Sequence, residues 1–387
     1  MNLYNINQII DNPKRDLKNK NETYNPQQGQ LYLPGLNGIR AVAALSVLFG
    51  HMWAPFGDWG IGRPPLHIPW PSGPVTTFFV ISGFLITFLL VNEVGRTNDV
   101  SVGKFYMRRI LRIWPLYYGY FVLSLIVVAA FKGEINSVAW FYGFFSGNIS
   151  HALGIGIIPL YHFWSLGVEE QFYLWYPWMV KYNKKHILVA VSALCVLWLG
   201  AKLVCYMLFG KGLAYRIFNV TQFDCMMLGA AGAIMYYRGI VWFKQLCNNR
   251  RVAIVSWLLF FTSGLWAKYI PSPIRNEIIA FVSLFVIMVG LVWKPILENK
   301  VMNYLGKISY GIYVIHPILL YGGTRTFDNA IRQCEHLQNV WGFVIIFAAV
   351  TCLTIIAAGL SYKYFEMPFL KMKDRFSVVK STNEGNE

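Results

Sequence analysis

Charge is scarce in this chain. Only 13% of its 387 residues are charged, against about 25% in an ordinary soluble domain, while 56% are hydrophobic and mean hydropathy is +0.44. A surface so poor in charge cannot face water, so the chain reads as an integral membrane protein. Cysteine is scarce too: the six residues Cys195, Cys205, Cys225, Cys247, Cys334 and Cys352 contain no C-x-x-C and sit mostly in apolar runs. That count excludes a disulfide-stapled miniprotein, and the six read as packing residues rather than metal ligands or bridges. The apolar content also excludes a disordered or collagenous chain. No repeat stands out, and the first 30 residues, rich in Asn and Gln, hold no apolar stretch resembling a signal peptide. The first apolar segment is therefore expected to act as the insertion signal. The alternating segments of about ten residues that barrel strands require are missing as well. Unbroken apolar runs such as 121–131 and 340–360 take their place, and these point to helices.

The expected fold is an all-α polytopic bundle of about ten transmembrane helices, near 35–55, 74–94, 113–131, 162–180, 186–209, 214–237, 252–269, 276–293, 303–321 and 340–362. Basic residues outnumber acidic ones 34 to 18, a net charge of +16 that in a soluble protein would suggest nucleic acid. Their distribution gives another reading. With the N-terminus inside, alternate gaps collect 24 basic residues on the inner side and 9 on the outer. That asymmetry follows the positive-inside rule, puts both termini in the cytoplasm and calls for no nucleic-acid partner. The expected division is a polar segment over 1–30, a membrane domain over 31–372 and a polar tail over 373–387, with no room for a soluble domain.

Several polar residues are out of place in such a bundle. Arg40 and His51 lie in the first segment eleven residues apart, which is about 20° beyond three turns and roughly 16 Å along a helix axis. They share one face. Arg40 can snorkel to headgroups or contact an anion, whereas His51 lies too deep to snorkel and either bonds a carbonyl or serves as a neutral base. Arg108, Arg109 and Arg112 cluster on one helical stretch, as a phosphate clamp or as an anchor for anionic lipid. In the stretch from His162 through Trp164 and Ser165 to Glu169 and Glu170, neighbouring carboxylates point 100° apart, so at least one faces the interior or water. Asp224, His316 and Glu366 are weaker candidates. Trp53, Trp59, Trp70, Trp140 and Tyr142 fall in outer loops, where aromatics stack on sugar rings or anchor the interface.

At these residues the sequence resembles the membrane acyltransferase-3 family. Arg40 and His51 stand at that family's Arg-x10-His spacing, and Phe78-Phe-Val-Ile-Ser82-Gly83-Phe-Leu-Ile86 is similar to its FFVxSGFLI signature. Arg109-x-x-Arg112, followed by Trp114-Pro115, matches a third element, and His162-x-Trp164-Ser165-Leu-x-Val-Glu169-Glu170-Gln-Phe-Tyr173 a fourth. Ser309-Tyr-Gly-Ile-Tyr313-Val-Ile-His316-Pro317 and Tyr364-Phe-Glu366-Met-Pro368 resemble the last two. The likeness runs from about residue 31 to 372. Two positions depart from it: Thr76 stands where an acid is frequent, and Gln222 where Arg is often found.

The resemblance implies a multi-pass protein of the bacterial inner membrane that moves an acyl group, usually acetyl, from cytoplasmic acyl-CoA to a hydroxyl of a surface or exported glycan or its lipid-linked precursor. No metal is called for. Arg108, Arg109 and Arg112 are expected to hold the CoA phosphates, with Arg40 a further anion contact. His51 is expected to act as general base, with Glu169 orienting it or stabilising its charge. A covalent acyl-enzyme on Ser82, His51 or a tyrosine is the alternative route. Many relatives carry a further hydrolase-like domain, and without one the acyl group is expected to pass directly to its acceptor. The rival reading is a transporter or flippase of anionic or glycan substrates, since buried Arg, His and Glu also mark such pathways, although the paired broken helices of inverted repeats are not evident.

Overall fold

The structure, a computed structural model, describes residues 24–25, 30–31, 33–58, 71–293, 297–334, 339–377 and 380–381. Helix α1 (Leu36–Asp58) begins where Gly35 adopts a left-handed φ of 75° and donates its N–H to the Glu298 carboxylate at 2.5 Å. A negative group there complements the helix dipole. Helix α2 (Pro74–Thr97) opens on proline, whose missing N–H would be unpaired in the first turn anyway. Helix α3 (Val102–Ala130) starts well before the apolar run expected at 113, so Arg108, Arg109 and Arg112 lie on the same continuous helix as that run. A turn of 3-10 helix, Ile158–Phe163, leads into α4 (Trp164–Tyr182).

Helix α5 (Ile187–Phe209) is followed by α6 (Leu213–Thr221) and α7 (Phe223–Tyr237), separated by Gln222 at a φ of 44°. Next come α8 (Arg250–Phe261), bent by 58° into the Ser263–Tyr269 segment, and α9 (Ser272–Val292). The ninth expected segment splits at Ile308 into α10 (Lys300–Lys307) and α11 (Ser309–Gln333). Helix α12 (Val340–Ser361) widens into a π turn over Tyr362–Glu366 and continues as Met367–Lys373. Two-residue strands pair Gln30 with Lys380 and Tyr24 with Leu31, tying the two ends of the described chain together.

Every expected segment is helical, but among the described residues only six helices are long and apolar enough to cross a membrane, or seven if the bent α8 pair counts as one span. Segments four and nine carry Glu169 and Glu170, and His316, and these polar residues dilute the apolar run; side chains of the first segment are described only over Leu36–Met52.

Burial ranks the helices. Helix α2 is central, with 72% of its most apolar stretch buried, whereas α5 and α12 bury 17% and turn residues such as Leu197, Ile345, Leu353 and Ile356 outward. Apolar all round yet exposed, α12 is built for lipid. The tight seam is α2 against α7, where a Cβ on Gly83 would collide with the Met226 carbonyl and one on Gly229 with the Val80 carbonyl. Lys202 is fully buried on α5 and paired with Asp224 at 3.4 Å and with Glu277. Thr76 and Gln222, the two departures from the family pattern, meet in a buried 2.7 Å hydrogen bond from Thr76 Oγ1 to Gln222 Oε1.

Candidate active site

Helical spacing assembles the site. On α4, Ser165, Glu169 and Tyr173 recur every four residues, and on α2 Phe78, Ser82, Leu85 and Ile86 form a matching stripe. These stripes, with Arg40 of α1, Arg109 and Arg112 of α3, and Tyr310 and Tyr313 of α11, enclose a cavity of about 90 Å³. That volume holds several waters or the tip of an extended ligand.

Glu169 is the hydrogen-bonding centre of the cavity. Ser82 Oγ donates to its Oε1 at 2.7 Å and Tyr173 OH to its Oε2 at 3.2 Å. Glu170, turned away, accepts from Trp114 Nε1 at 3.0 Å. The Arg109 guanidinium stands 5.9 Å from the Phe105 and Tyr173 ring centres, and its Nε has no hydrogen-bond partner among the described residues. The three arginines expected to act together are divided. Arg108 points away from the cavity, pairs with buried Glu93 at 3.2 Å and donates to the Phe376 carbonyl at 2.9 Å. Its place in the cationic group is taken by Arg40.

At the other end of the cavity, Ser165 Oγ and Tyr313 OH lie 2.5 Å apart and both lie within reach of the His162 carbonyl, at 3.2 and 2.8 Å, so one hydroxyl donates to that carbonyl and the other to its fellow hydroxyl. This hydroxyl pair separates the cavity from a cluster of three histidines. His316 Nε2 is 2.7 Å from His51 Nδ1, and the His316 ring centre is 5.7 Å from that of buried His162. His51 itself is exposed. The partner expected for it, Glu169, faces Ser82 and Tyr173 instead.

An arginine-lined cavity with a histidine cluster beyond its hydroxyl pair suits transfer of a group between two faces of a bundle. A family model described as an acyltransferase domain matches residues 33–359. The chain belongs to the acyltransferase-3 family. Among curated proteins it is similar to the O-acetyltransferase OatA of Staphylococcus aureus, 27% identical over 92% of this chain and 60% of that protein. A putative O-acetyltransferase of S. aureus strain COL is 26% identical over 91% of this chain and 60% of its own length. The chain thus spans about three-fifths of these relatives. No solved structure matches.

Against this acyltransferase membership, the remaining candidates sort by position. Trp164 packs on His151 and on the edge of Phe79, at 5.0 and 5.8 Å between ring centres, outside the cavity wall. Asp224 is held by Lys202 in a separate buried cluster. Of the aromatics expected to present stacking faces, Trp140 is exposed but Tyr142 is fully buried, and Trp59 and Trp70 lie outside the described residues. Tyr313 and Tyr173 were not singled out from the sequence. Tyr313 had a signal, standing three residues before His316 and hence on the same helix face.

Proposed function

We propose that this acyltransferase is a membrane O-acetyltransferase that takes an acetyl group from acetyl-CoA and esterifies a hydroxyl of a surface or exported glycan or its lipid-linked precursor. The observation that carries this reading is the polarity of the cavity: Arg40, Arg109 and Arg112 at one end, and an exposed histidine beyond the Ser165–Tyr313 pair at the other. Guanidinium groups suit the phosphates of a polyanionic donor. The arginines line the same cavity as Ser82 and Glu169, so donor phosphates held by the guanidinium groups would direct the thioester toward those two residues. The pairing of Gln30 with Lys380 supports both ends lying on one face, the cytoplasmic one by the basic-residue count, in the inner membrane.

In the transfer, His51 takes the proton of the acceptor hydroxyl through Nε2, the ring nitrogen not turned to His316. The acceptor oxygen then bonds to the thioester carbonyl carbon, the carbon–sulfur bond breaks, and the thiolate of CoA leaves toward the arginines. Ser82 and Glu169 line the path of the thioester, where Glu169 orders the Ser82 hydroxyl. The test compares O-acetyl ester content of envelope glycans in a deletion strain complemented with wild type or His51→Ala, alongside acetyl-CoA binding by the purified protein. Esters that return only with wild type support the reading. Unchanged esters together with no acetyl-CoA binding overturn it in favour of a transporter.

A further inference from the structure

We infer that His316 is the positioning residue that fixes the tautomer of His51, the role first expected of Glu169. The inference rests on the proposed role of His51 as base and deepens it. Two contacts and one burial define it: His51 Nδ1 to His316 Nε2 at 2.7 Å, His316 Nδ1 to the Ile312 carbonyl at 3.0 Å, and full burial of His316.

The proton positions follow from what each atom can do. A carbonyl oxygen only accepts, so the His316 nitrogen facing Ile312 must carry hydrogen. In a neutral imidazole the other nitrogen is then an acceptor, which leaves His316 Nε2 bare. A bare nitrogen at 2.7 Å requires that His51 Nδ1 be the donor. His51 Nε2 is therefore the unprotonated nitrogen, and it has no partner among the described residues. The Ile312 carbonyl on α11 thus dictates, through two rings, which nitrogen of His51 is free to accept a proton.

The fold supplies reasons for this arrangement. Pro317 lies inside α11 and cannot bond back to the Tyr313 carbonyl, and the His316 ring bonds the carbonyl one residue earlier, that of Ile312. An imidazole orienter also differs from a carboxylate, because it fixes the tautomer without placing a further charge in a low-dielectric bundle. Glu169 is meanwhile committed to Ser82 and Tyr173. His162 does not replace His316, because both of its nitrogens lack hydrogen-bond partners among the described residues.

The test uses the full chain in lipid and begins with wild type, so that it does not depend on a variant folding. Nitrogen-15 NMR of histidine-labelled protein, with the His51 signals assigned by comparison with His51→Ala, should show His51 protonated at Nδ1. Protonation at Nε2 overturns the inference. His316→Phe fills the site but offers no acceptor, whereas His316→Gln presents an amide oxygen to His51 and an N–H to Ile312. At matched abundance in the complemented deletion strain, ester content should fall at least tenfold with His316→Phe and recover most of that loss with His316→Gln. Binding of acetyl-CoA to the purified variants should stay unchanged. Full ester content with His316→Phe, or equal loss in both variants, would show that hydrogen bonding by residue 316 does not matter and would overturn the inference while leaving His51 as base. Esters retained by His51→Ala would instead remove the reading on which it rests.

Discussion

Replacing His51 with Ala should lower acetyl transfer by about 10²–10⁴-fold, the usual contribution of a general base, without changing protein abundance. Glycan ester content and a quantitative blot read both quantities. Adjacent arginines should separate in the same way. Arg109→Ala should weaken acetyl-CoA binding by about 10–100-fold, the worth of a charge-assisted hydrogen bond of about 1.5–3 kcal/mol, and leave the fold intact. Arg108→Ala leaves Glu93 buried without its cation and should cost about 3–5 kcal/mol of stability, seen as early unfolding in a thermal shift assay. The sequence placed these residues on one helix and grouped them as a clamp. It could not divide them, because neighbours 100° apart on a helix meet different elements, and Glu93 and Phe376 lie on other parts of the chain. Arg40 and His51 were legible as one face because both sit on one helix. The partner of His51 was not, since a contact across 265 residues leaves no local periodicity.

The seam between α2 and α7 is where an element is most constrained. Gly83→Ala puts a methyl group into the Met226 carbonyl, so the helices must part, and a cost of at least about 1–3 kcal/mol should appear as lost monodisperse protein on size-exclusion chromatography in detergent. Transfer should fall with it, because α2 holds Ser82 against Glu169. A milder effect belongs to the turn after α2, where Asp99 bonds to Lys181 and Lys184 at 3.0 and 3.1 Å and these cations hold its carboxyl well below the usual carboxylate range. A depressed carboxyl stabilises the fold above its ordinary value near ~4 and loses that effect as pH falls through the folded value. Asp99→Asn should therefore lower the melting temperature slightly at neutral pH, and the difference should vanish in strong acid. The apolar runs announced all the long helices. They did not announce the break at Gln222, the bend after α8 or the early start of α3, because hydropathy reports an environment and not a backbone angle.

For the whole molecule, the Ser165–Tyr313 pair lies between the arginine-lined cavity and the histidine cluster, and under the proposed function it would keep water from the thioester. Tyr313→Phe should raise acetyl-CoA hydrolysis without acceptor several-fold, measured by thiol release from protein in liposomes, while ester content falls. An unchanged hydrolysis rate would assign the pair to packing alone. Composition by itself determined that this chain belongs in a bilayer, since 13% charge cannot cover a surface in water, and the motif order determined its family. Helical periodicity determined which polar residues share a face. Only the tertiary structure decided which faces meet: it took Arg108 out of the cationic group, gave Glu169 to Ser82, gave His51 to His316 and buried Lys202. Those choices depend on packing between helices far apart in the chain, and a one-dimensional pattern carries the orientation of each helix but not the identity of its neighbour.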